Sequence, residues 1–285
     1  MKHTGNSKAL TRCIILLGIV VFILGSNPAV HAGNKKLDLE ICAPNQAFTT
    51  NIDNPFILYS PVGRQWRLIG EEDDEQIIVR ITVLDQTENV AGVVTRVVEE
   101  LEAVDENEDG MIQNEEVIEQ SFNYHAQLSG GQWEGTVCYF GEQVWERPEE
   151  NGMVVVIANN NGPEPGVVVP GLERNMDGEW RADEIGSSPG VFFPASDDAT
   201  SGTKIQQENG PPDALDEMKI VGSGSVLLED VTIDGDEFEE VTFEDVRRGR
   251  ESNPVDGDKG YKTFAYDIGI ILDEDFALTV TGVLP

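Results

Sequence analysis

The residues best placed to do chemistry lie in one acidic stretch, Ala103 to Gln120, which holds seven acids, two asparagines and one glycine. Residues 105–116 of this stretch match the twelve-residue calcium loop of an EF-hand at each position that the chemistry constrains. Calcium is a hard cation that takes six to eight oxygen ligands at about 2.3–2.6 Å. We therefore predict a calcium site whose ligands are Asp105, Asn107, Asp109, Met111, Gln113 and Glu116.

Each position of this loop has a defined part in holding the ion. The first three ligands are alternate residues, whose side-chain oxygens can converge as the chain wraps round one point. Met111 offers its carbonyl, Gln113 reaches the ion through water, and Glu116 closes the sphere with both oxygens. Gly110 permits the sharp turn, and Ile112 points to the apolar interior. Magnesium fits less well because it prefers a tight octahedron, and zinc fits poorly because the loop has neither Cys nor His.

The plainest alternative is a solvated acidic turn. Asp109 followed by Gly110 is an ordinary hairpin turn signal. That interpretation accounts for two residues and leaves the spacing of Asp105, Asn107 and Glu116 without a reason. Without a cation the carboxylates would also repel one another, so we favour the calcium hypothesis.

A second stretch has similar spacing but weaker chemistry. Its first ligand position is Glu173, whose side chain is too long for a good fit, and Arg181 stands in the water-bridging place. The sequence leaves open whether this stretch is a site. The matching residues of this second loop, 173–184, are Glu173, Asn175, Asp177, Gly178 and Glu184.

The segments on either side of the acidic loop must position its ligands. Before it, valines between Val90 and Val104 follow a helical stripe, yet β-branched valine loses side-chain entropy in a helix. After it, alternate residues from Ile118 to Leu128 form one mostly apolar face, which is typical of a strand. We predict two arms of a hairpin with the loop at its tip. A short helix-loop-helix is the alternative, because a full EF-hand needs helices on both sides.

The rest of the chain has the pattern of a β protein. Short runs rich in Val, Ile and Phe alternate with Gly, Asn, Asp and Pro, and such runs between turn signals indicate strands. Many strands with few helical patterns predict an all-β fold, mainly an antiparallel sandwich or barrel. We place a signal peptide at 1–32, an N-terminal lead at 33–50, and one mainly β domain at 51–285 that contains the loop at 105–116.

The first residues have the pattern of an export signal. Basic residues and no acid precede an apolar segment from Cys13 to Gly25, and Val30 and Ala32 have the spacing that a signal peptidase reads. The apolar segment is too short for the roughly 20 residues of a membrane helix. We therefore predict cleavage after Ala32, a protein that is secreted or held in the periplasm or cell envelope, and no transmembrane segment after cleavage.

The charge balance excludes some partners. The formal net charge is −34, and loss of residues 1–32 removes three basic residues and no acid, leaving 16 basic against 53 acidic residues, or −37. Such a surface repels nucleic acid and anionic membranes. We therefore exclude nucleic acid as a partner and expect the protein to attract cations, while a protein or glycan partner stays unspecified.

Cysteine and histidine are sparse. Cys42 and Cys138 remain after cleavage, and in an oxidising compartment an even pair favours one disulfide over two buried thiols. His125 is the one histidine beyond residue 32, and no serine or cysteine nucleophile motif accompanies it. No two of the 53 acids stand out as a glycosidase pair. The sequence therefore favours a protein that is not an enzyme, and it assigns no catalytic residue.

The chain resembles a group of uncharacterised secreted bacterial β proteins through two motifs. "NPFILYSPVGRQWRL", residues 54–68, matches their opening, and "CYFGEQVWE", residues 138–146, carries their YFGE motif. The resemblance covers most of residues 42–282 and implies one mainly β domain without implying any catalytic residue. Cys138 stands where an aromatic residue is usual, and the acidic loop is longer than the expected hairpin turn. The calcium ligands are therefore predicted from their own chemistry.

Together these observations predict a secreted calcium-binding protein with a structural, adhesive or binding role. One alternative is an extracellular carbohydrate-active hydrolase that uses carboxylates. Another is an envelope protein that holds an apolar ligand inside a barrel.

Overall fold

The structure, a computed structural model, describes residues 21–23, 35–72, 75–107, 109–148, 162–176, 178–212, 214–255, 257 and 259–283. Within them the regular secondary structure is almost entirely β-sheet, apart from two short 3₁₀ helices at Leu39–Cys42 and Ser196–Asp198. The prediction of an all-β fold is confirmed. The strands are β1 (Val21–Ile23), β2 (Phe48–Thr49), β3 (Arg64–Glu72), β4 (Glu75–Val90), β5 (Val93–Val104), β6 (Val117–Leu128), β7 (Val137–Glu146), β8 (Glu173–Arg174), β9 (Trp180–Arg181), β10 (Gly190–Phe193), β11 (Lys204–Gln206), β12 (Glu217–Ile233), β13 (Asp236–Ser252), β14 (Tyr261–Ala265), β15 (Gly269–Asp273) and β16 (Phe276–Val283).

The strands form one sheet that wraps around an interior. Its order is β1-β12-β13-β14-β15-β16-β3-β4-β5-β6-β7-β10, with β11 beside β12, β2 beside β6, and β8 and β9 beside β7. The pairings are antiparallel, apart from a short parallel contact between β12 and β16. The two ends of the sheet meet where Gln207, directly after β11, donates through Nε2 to the carbonyl of Phe192 in β10 (3.2 Å). Residues on the inner face of distant strands therefore share one space.

The acidic loop lies at the tip of a β-hairpin, as predicted. β5 and β6 pair antiparallel from Arg96 opposite His125 to Ala103 opposite Val117, so the flanks are strands and not the helices of the alternative. At the other end of β5, Ala91 and Gly92 both have positive φ (54° and 85°). That conformation closes a two-residue hairpin turn with β4, which explains why the valine stripe forms strands.

A large apolar core fixes the geometry of the sheet. Its largest fully buried side chains include Trp66, Trp180, Phe56, Phe140 and Phe193. The Trp66 indole nitrogen donates to the carbonyl of Ile268 (2.7 Å), so its polar end is satisfied. Each such side chain contributes about 1.5–3 kcal/mol through burial, and the strands that carry the candidate sites are therefore held firmly.

A disulfide joins the N-terminal segment to the sheet. Cys42, at the end of the first 3₁₀ helix, bonds Cys138 of β7 with their Cα atoms 5.7 Å apart, so the favoured pairing is confirmed. Leu37 is buried and its amide donates to the carbonyl of Lys204 (2.9 Å). Residues 35–50 thus pack onto the sheet.

The predicted signal peptide lies outside the described residues except for Val21–Ile23, which pair with β12. Export and location therefore stay predictions. Within the described residues, no helix has the length and apolar character needed to cross a membrane.

Candidate functional site

Both ends of the predicted calcium loop are anchored to the hairpin. The Val104 amide donates to the carbonyl of Glu116 (3.0 Å), and the Asp105 amide donates to the carbonyl of Gln76 on β4 (2.8 Å). The side chains of Asp105 and Glu116 are 3% and 4% exposed. Two carboxylates are therefore taken out of bulk water where the loop leaves and rejoins the sheet, which costs free energy unless each is compensated.

In the first half of the loop, side-chain oxygens accept hydrogen bonds from the backbone amides of the loop itself. The two oxygens of Asp105 accept from the amides of Asp109 (3.2 Å) and Gly110 (2.8 Å). Asn107 Oδ1 accepts from the Asp109 amide (3.0 Å), and Asp109 Oδ1 accepts from the Met111 amide (2.8 Å). Gly110 has a φ of +72°, a conformation that glycine adopts without strain, so this glycine makes the turn that the spacing predicts.

The second half closes the loop through Glu116. Its Oε1 accepts from Asn107 Nδ2 (3.0 Å) and its Oε2 from the Gln113 amide (2.9 Å). Gln113 Nε2 lies 3.5 Å from Asp109 Oδ2, at the outer limit of hydrogen bonding. The structure thus brings the side chains of five of the six predicted ligands into one connected set. The sixth, Met111, was predicted to use its carbonyl, and its side chain is exposed.

An apolar cluster backs the loop. Ile112 packs against Leu101, Ala103, Val117 and Val169, so its predicted inward direction is confirmed. The backbone of the 162–172 segment passes close by, because a Cβ at Gly162 would lie 2.8 Å from the carbonyl of Ile112. The acidic loop is therefore held between the hairpin and this segment.

The 162–172 segment is itself held by a buried polar group. Glu99, fully buried, pairs with Arg80 (3.1 Å) and accepts from Gln120 Nε2 (2.8 Å) and from the Gly166 amide (2.9 Å). Gln120 Oε1 accepts from the Val169 amide (2.9 Å). Such a satisfied network fixes the segment in one position.

The charge of the loop is only partly balanced. Burial raises the pKa of Glu116, a hydrogen bond from the Gln113 amide opposes that rise, and Asp105 and Asp109 add to it. Arg67 lies next to the loop. One of its terminal nitrogens is 3.2 Å from the position that a Cβ atom on Gly110 would occupy. Burial lowers the pKa of Arg67, against the pull of Asp105 and Asp109. The loop therefore holds carboxylates that a divalent cation would stabilise.

The donor set fits calcium through oxygens of several kinds. Among the described residues, no three His, Cys, Asp or Glu side chains are arranged so that they alone could hold a metal ion. A calcium site here would also use the oxygen of the Asn107 amide, a backbone carbonyl and Gln113, which are the usual hard donors of such a loop. To bind the ion, these oxygens would have to move closer to one another and give up their present hydrogen bonds to backbone amides.

The second candidate loop, 173–184, is built differently. Its described parts lie along β7, with Arg174 opposite Trp145 and Trp180 opposite Glu142. Arg174 pairs with Glu179 (2.6 Å), and both Glu173 and Glu184 are exposed. Asp177 lies outside the described residues. Nothing in the described part of this segment brings its acids together.

The structure also contains a cavity that the sequence reasoning missed. It lies inside the wrapped sheet, has a volume of about 180 Å³, and is lined by acidic side chains from several strands. Four of them come from β5, β6, β7 and the segment after β11: Glu100, Glu119, Glu142 and Glu208. We call these four residues the carboxyl cluster.

Lys262 of β14 lies in the same cavity wall and is already paired. Its ammonium is 3.4 Å from Glu251 and 3.3 Å from Asp273. Burial alone lowers the pKa of Lys262, but Asp273, Glu251 and Glu100 outweigh it and raise that pKa. Lys262 therefore stays charged beside its two partners.

The carboxyl cluster has perturbed acidities. Burial raises the pKa of Glu100 and of Glu119 to about 7, that of Glu142 to about 8, and that of Glu208 well above its ordinary value. Neighbouring carboxyl groups add to each rise. Groups with such acidities mark candidate binding or catalytic sites.

The other face of the cavity is aromatic. The His125 ring stacks on Tyr139 (centroids 4.7 Å apart) and lies 4.5 Å from Phe192. One sequence signal could have indicated the cavity: on β6, Glu119, Ser121, Asn123 and His125 alternate with the apolar face. That polar set resembles an outward face, and here it points into the cavity.

No protein-family model, curated protein or solved structure matches the chain. The candidate functions therefore depend on the geometry of these two places.

Proposed function

We propose that the protein is an exported calcium-binding protein in which the ion orders the tip of the β5–β6 hairpin for a structural or binding role. The observation that carries this proposal is the hydrogen-bonded set of Asp105, Asn107, Asp109 and Glu116, with both ends of the loop buried. Side-chain oxygens of these residue types at these positions are the ligands of an EF-hand loop.

The electrostatics support a cation at this place. Asp105 and Glu116 are buried near Asp109, and their mutual repulsion contributes to the raised pKa of Glu116. A divalent ion would replace that repulsion by attraction. Protons compete for the same oxygens, so calcium affinity is expected to fall as the pH drops towards the pKa of Glu116.

The hairpin setting indicates modest affinity. An EF-hand holds its loop between two helices, whereas this loop lies between two strands. We expect a dissociation constant of about 10⁻⁴–10⁻³ M, as in extracellular calcium modules. A ligand that binds only the folded state adds about 2.7 kcal/mol of stability at a hundred times its dissociation constant.

The test is thermal unfolding of the mature protein in calcium and in chelator. We expect calcium to raise the melting temperature of the wild type, and Glu116→Gln and Asp109→Asn to remove most of that rise. Glu239→Gln, a change at an exposed residue of β13, is the matched control and should keep the full rise. Comparing calcium with chelator within each variant separates ion binding from any direct effect on folding.

Two results would refute the proposal. One is a melting temperature of the wild type that does not depend on calcium. The other is a calcium effect of the same size in Glu116→Gln and Glu239→Gln, which would indicate general screening of the acidic surface.

A further inference from the structure

The internal cavity has more acid than its bases can balance. Within the described lining, Lys262 is the one side chain with a full positive charge, and Glu251 and Asp273 already hold it. None of the ion pairs in the described part of the chain involves the carboxyl cluster. Charged carboxylates in such a place need either protons or a cation.

Within the described residues, His125 is an unpartnered polar side chain in the cavity wall. It is 2% exposed, lines the cavity, and its Nδ1 is buried without a hydrogen-bond partner among the described residues. Burial lowers the pKa of His125 to about 3, so the ring is neutral and one of its nitrogens is an acceptor. Because the ring is neutral, His125 adds no positive charge that could offset the carboxyl cluster.

The spread of the acids argues against a single metal ion. Among the described residues, no three acidic or histidine side chains could hold a metal. The cavity volume of about 180 Å³ is instead room for several waters or one small organic molecule. Apolar side chains such as Ile81 and Phe264 share the wall with the acids. An extended cation with a short hydrocarbon body matches this mixture.

We propose that the cavity binds a small organic dication with ammonium N–H groups, of the diamine or short polyamine class. Carboxylates of the cluster accept charge-assisted hydrogen bonds from the ammonium groups. Phe192, which is partly exposed in the cavity wall, offers an aromatic face, and such faces attract cations. The ion pairs of Lys262 with Glu251 and Asp273 show that carboxylates in this wall can hold an ammonium group.

A wider groove adjoins the cavity and offers a ligand an entry path. It is lined by Ser252, Lys259 and Glu274 among others, and it shares Asp216 and Glu251 with the cavity. Its volume is about 470 Å³. Acids at this shared boundary would draw a cation inward.

Binding should release protons. At pH 7 the raised pKa of Glu142 leaves that group largely protonated, and an ammonium beside it favours the charged form. The groups that face Glu142 are Tyr139 on its own strand, Glu119 and Glu100 on the next two strands, and Glu208 and Asp216 between β11 and β12.

The experiment is isothermal titration calorimetry with 1,4-diaminobutane and with spermidine, in chelator and physiological salt. Repeating it in two buffers of different ionisation heat measures proton release. The neutral analogue 1,4-butanediol tests the need for charge. Two cavity variants are used: Glu142→Gln removes a carboxylate with little change in shape, and Ser121→Leu fills the cavity from β6 without changing charge. Glu239→Gln is again the exposed control.

We expect one saturable site with proton release, weakened about tenfold or more by Glu142→Gln and abolished by Ser121→Leu. Glu239→Gln and the calcium-loop variant Glu116→Gln should bind the amine as the wild type does, so this proposal and the calcium proposal fail separately. Thermal melts verify that each variant is folded.

The inference is overturned by any of three results: no saturable binding, equal binding of the diol, or amine binding unchanged in both cavity variants. The last result would place the amine on the acidic surface as a diffuse counterion.

Discussion

The carboxyl cluster predicts an unusual pH dependence of stability, and Glu100 is its best test. Burial raises the pKa of Glu100 to about 7, while the ordinary value is 4.5. Between those pH values the folded protein holds a proton that the unfolded chain gives up. Stability from this group is therefore greatest at low pH and declines as the pH rises through about 7. The Glu100→Gln variant keeps the shape of the side chain and removes its ionisable carboxyl group.

The size of the effect follows from the two acidities. A rise from 4.5 to about 7 corresponds to about 3 kcal/mol between fully protonated and fully ionised conditions. Part of the accessible surface of Glu100 faces the cavity, where water can screen the charge, and Lys262 partly offsets it. We therefore expect Glu100→Gln to gain roughly 1–2 kcal/mol relative to the wild type between pH 5 and pH 8.

The assay is urea unfolding of the wild type, Glu100→Gln and Glu239→Gln at pH 5, 6, 7 and 8 in chelator without amines. The difference between Glu100→Gln and the wild type isolates the buried carboxyl, because both carry the rest of the acidic surface. Glu239→Gln should show no such trend, since its side chain is exposed. A constant or falling advantage of Glu100→Gln from pH 5 to pH 8 would refute the argument.

Two further predictions concern the calcium loop and the disulfide. Arg67→Gln removes a positive charge next to Gly110, so it should tighten calcium binding roughly threefold or more, measured by calorimetry; weaker binding would contradict the place given to Arg67. Replacing Cys42 and Cys138 by serine opens a loop of sequence separation 96 and should cost about 4 kcal/mol of unfolding free energy, measured in urea; an unchanged midpoint would show that the bond adds no stability.

The turn of the acidic loop was predictable because its information is local, while calcium binding by the loop stays a prediction. The spacing from Asp105 to Glu116 fits one short turn, and alternation after Val117 indicates the strand that follows. The loop hydrogen bonds join residues two to nine apart in sequence. Such contacts depend little on the rest of the fold.

The cavity was not predictable, because neighbouring residues of the same type lie on opposite faces of the sheet. Glu99 lies on the outer face of the sheet, buried beside Arg80 and the 162–172 segment, and Glu100 lines the cavity on the inner face. The alternation rule assigns one face of a strand to water, whereas both faces of β5 and β6 are largely covered here. Only the closure of the sheet between β10 and β11 brings Glu208 opposite Glu142, and no local pattern records that closure.

The two proposed sites lie on the same hairpin, and both concern the excess negative charge of the chain. β5 carries Glu100 inside the sheet and ends at the loop with Asp105, and β6 begins after Glu116 and carries Glu119. In a chain with a formal net charge of −34, exposed acids are screened by salt, but these acids are shielded from it. Bound cations would therefore stabilise the folded state most at these places. Because the sites use different side chains, Glu116→Gln and Glu142→Gln should each remove one cation and leave the other, although the same two strands hold both.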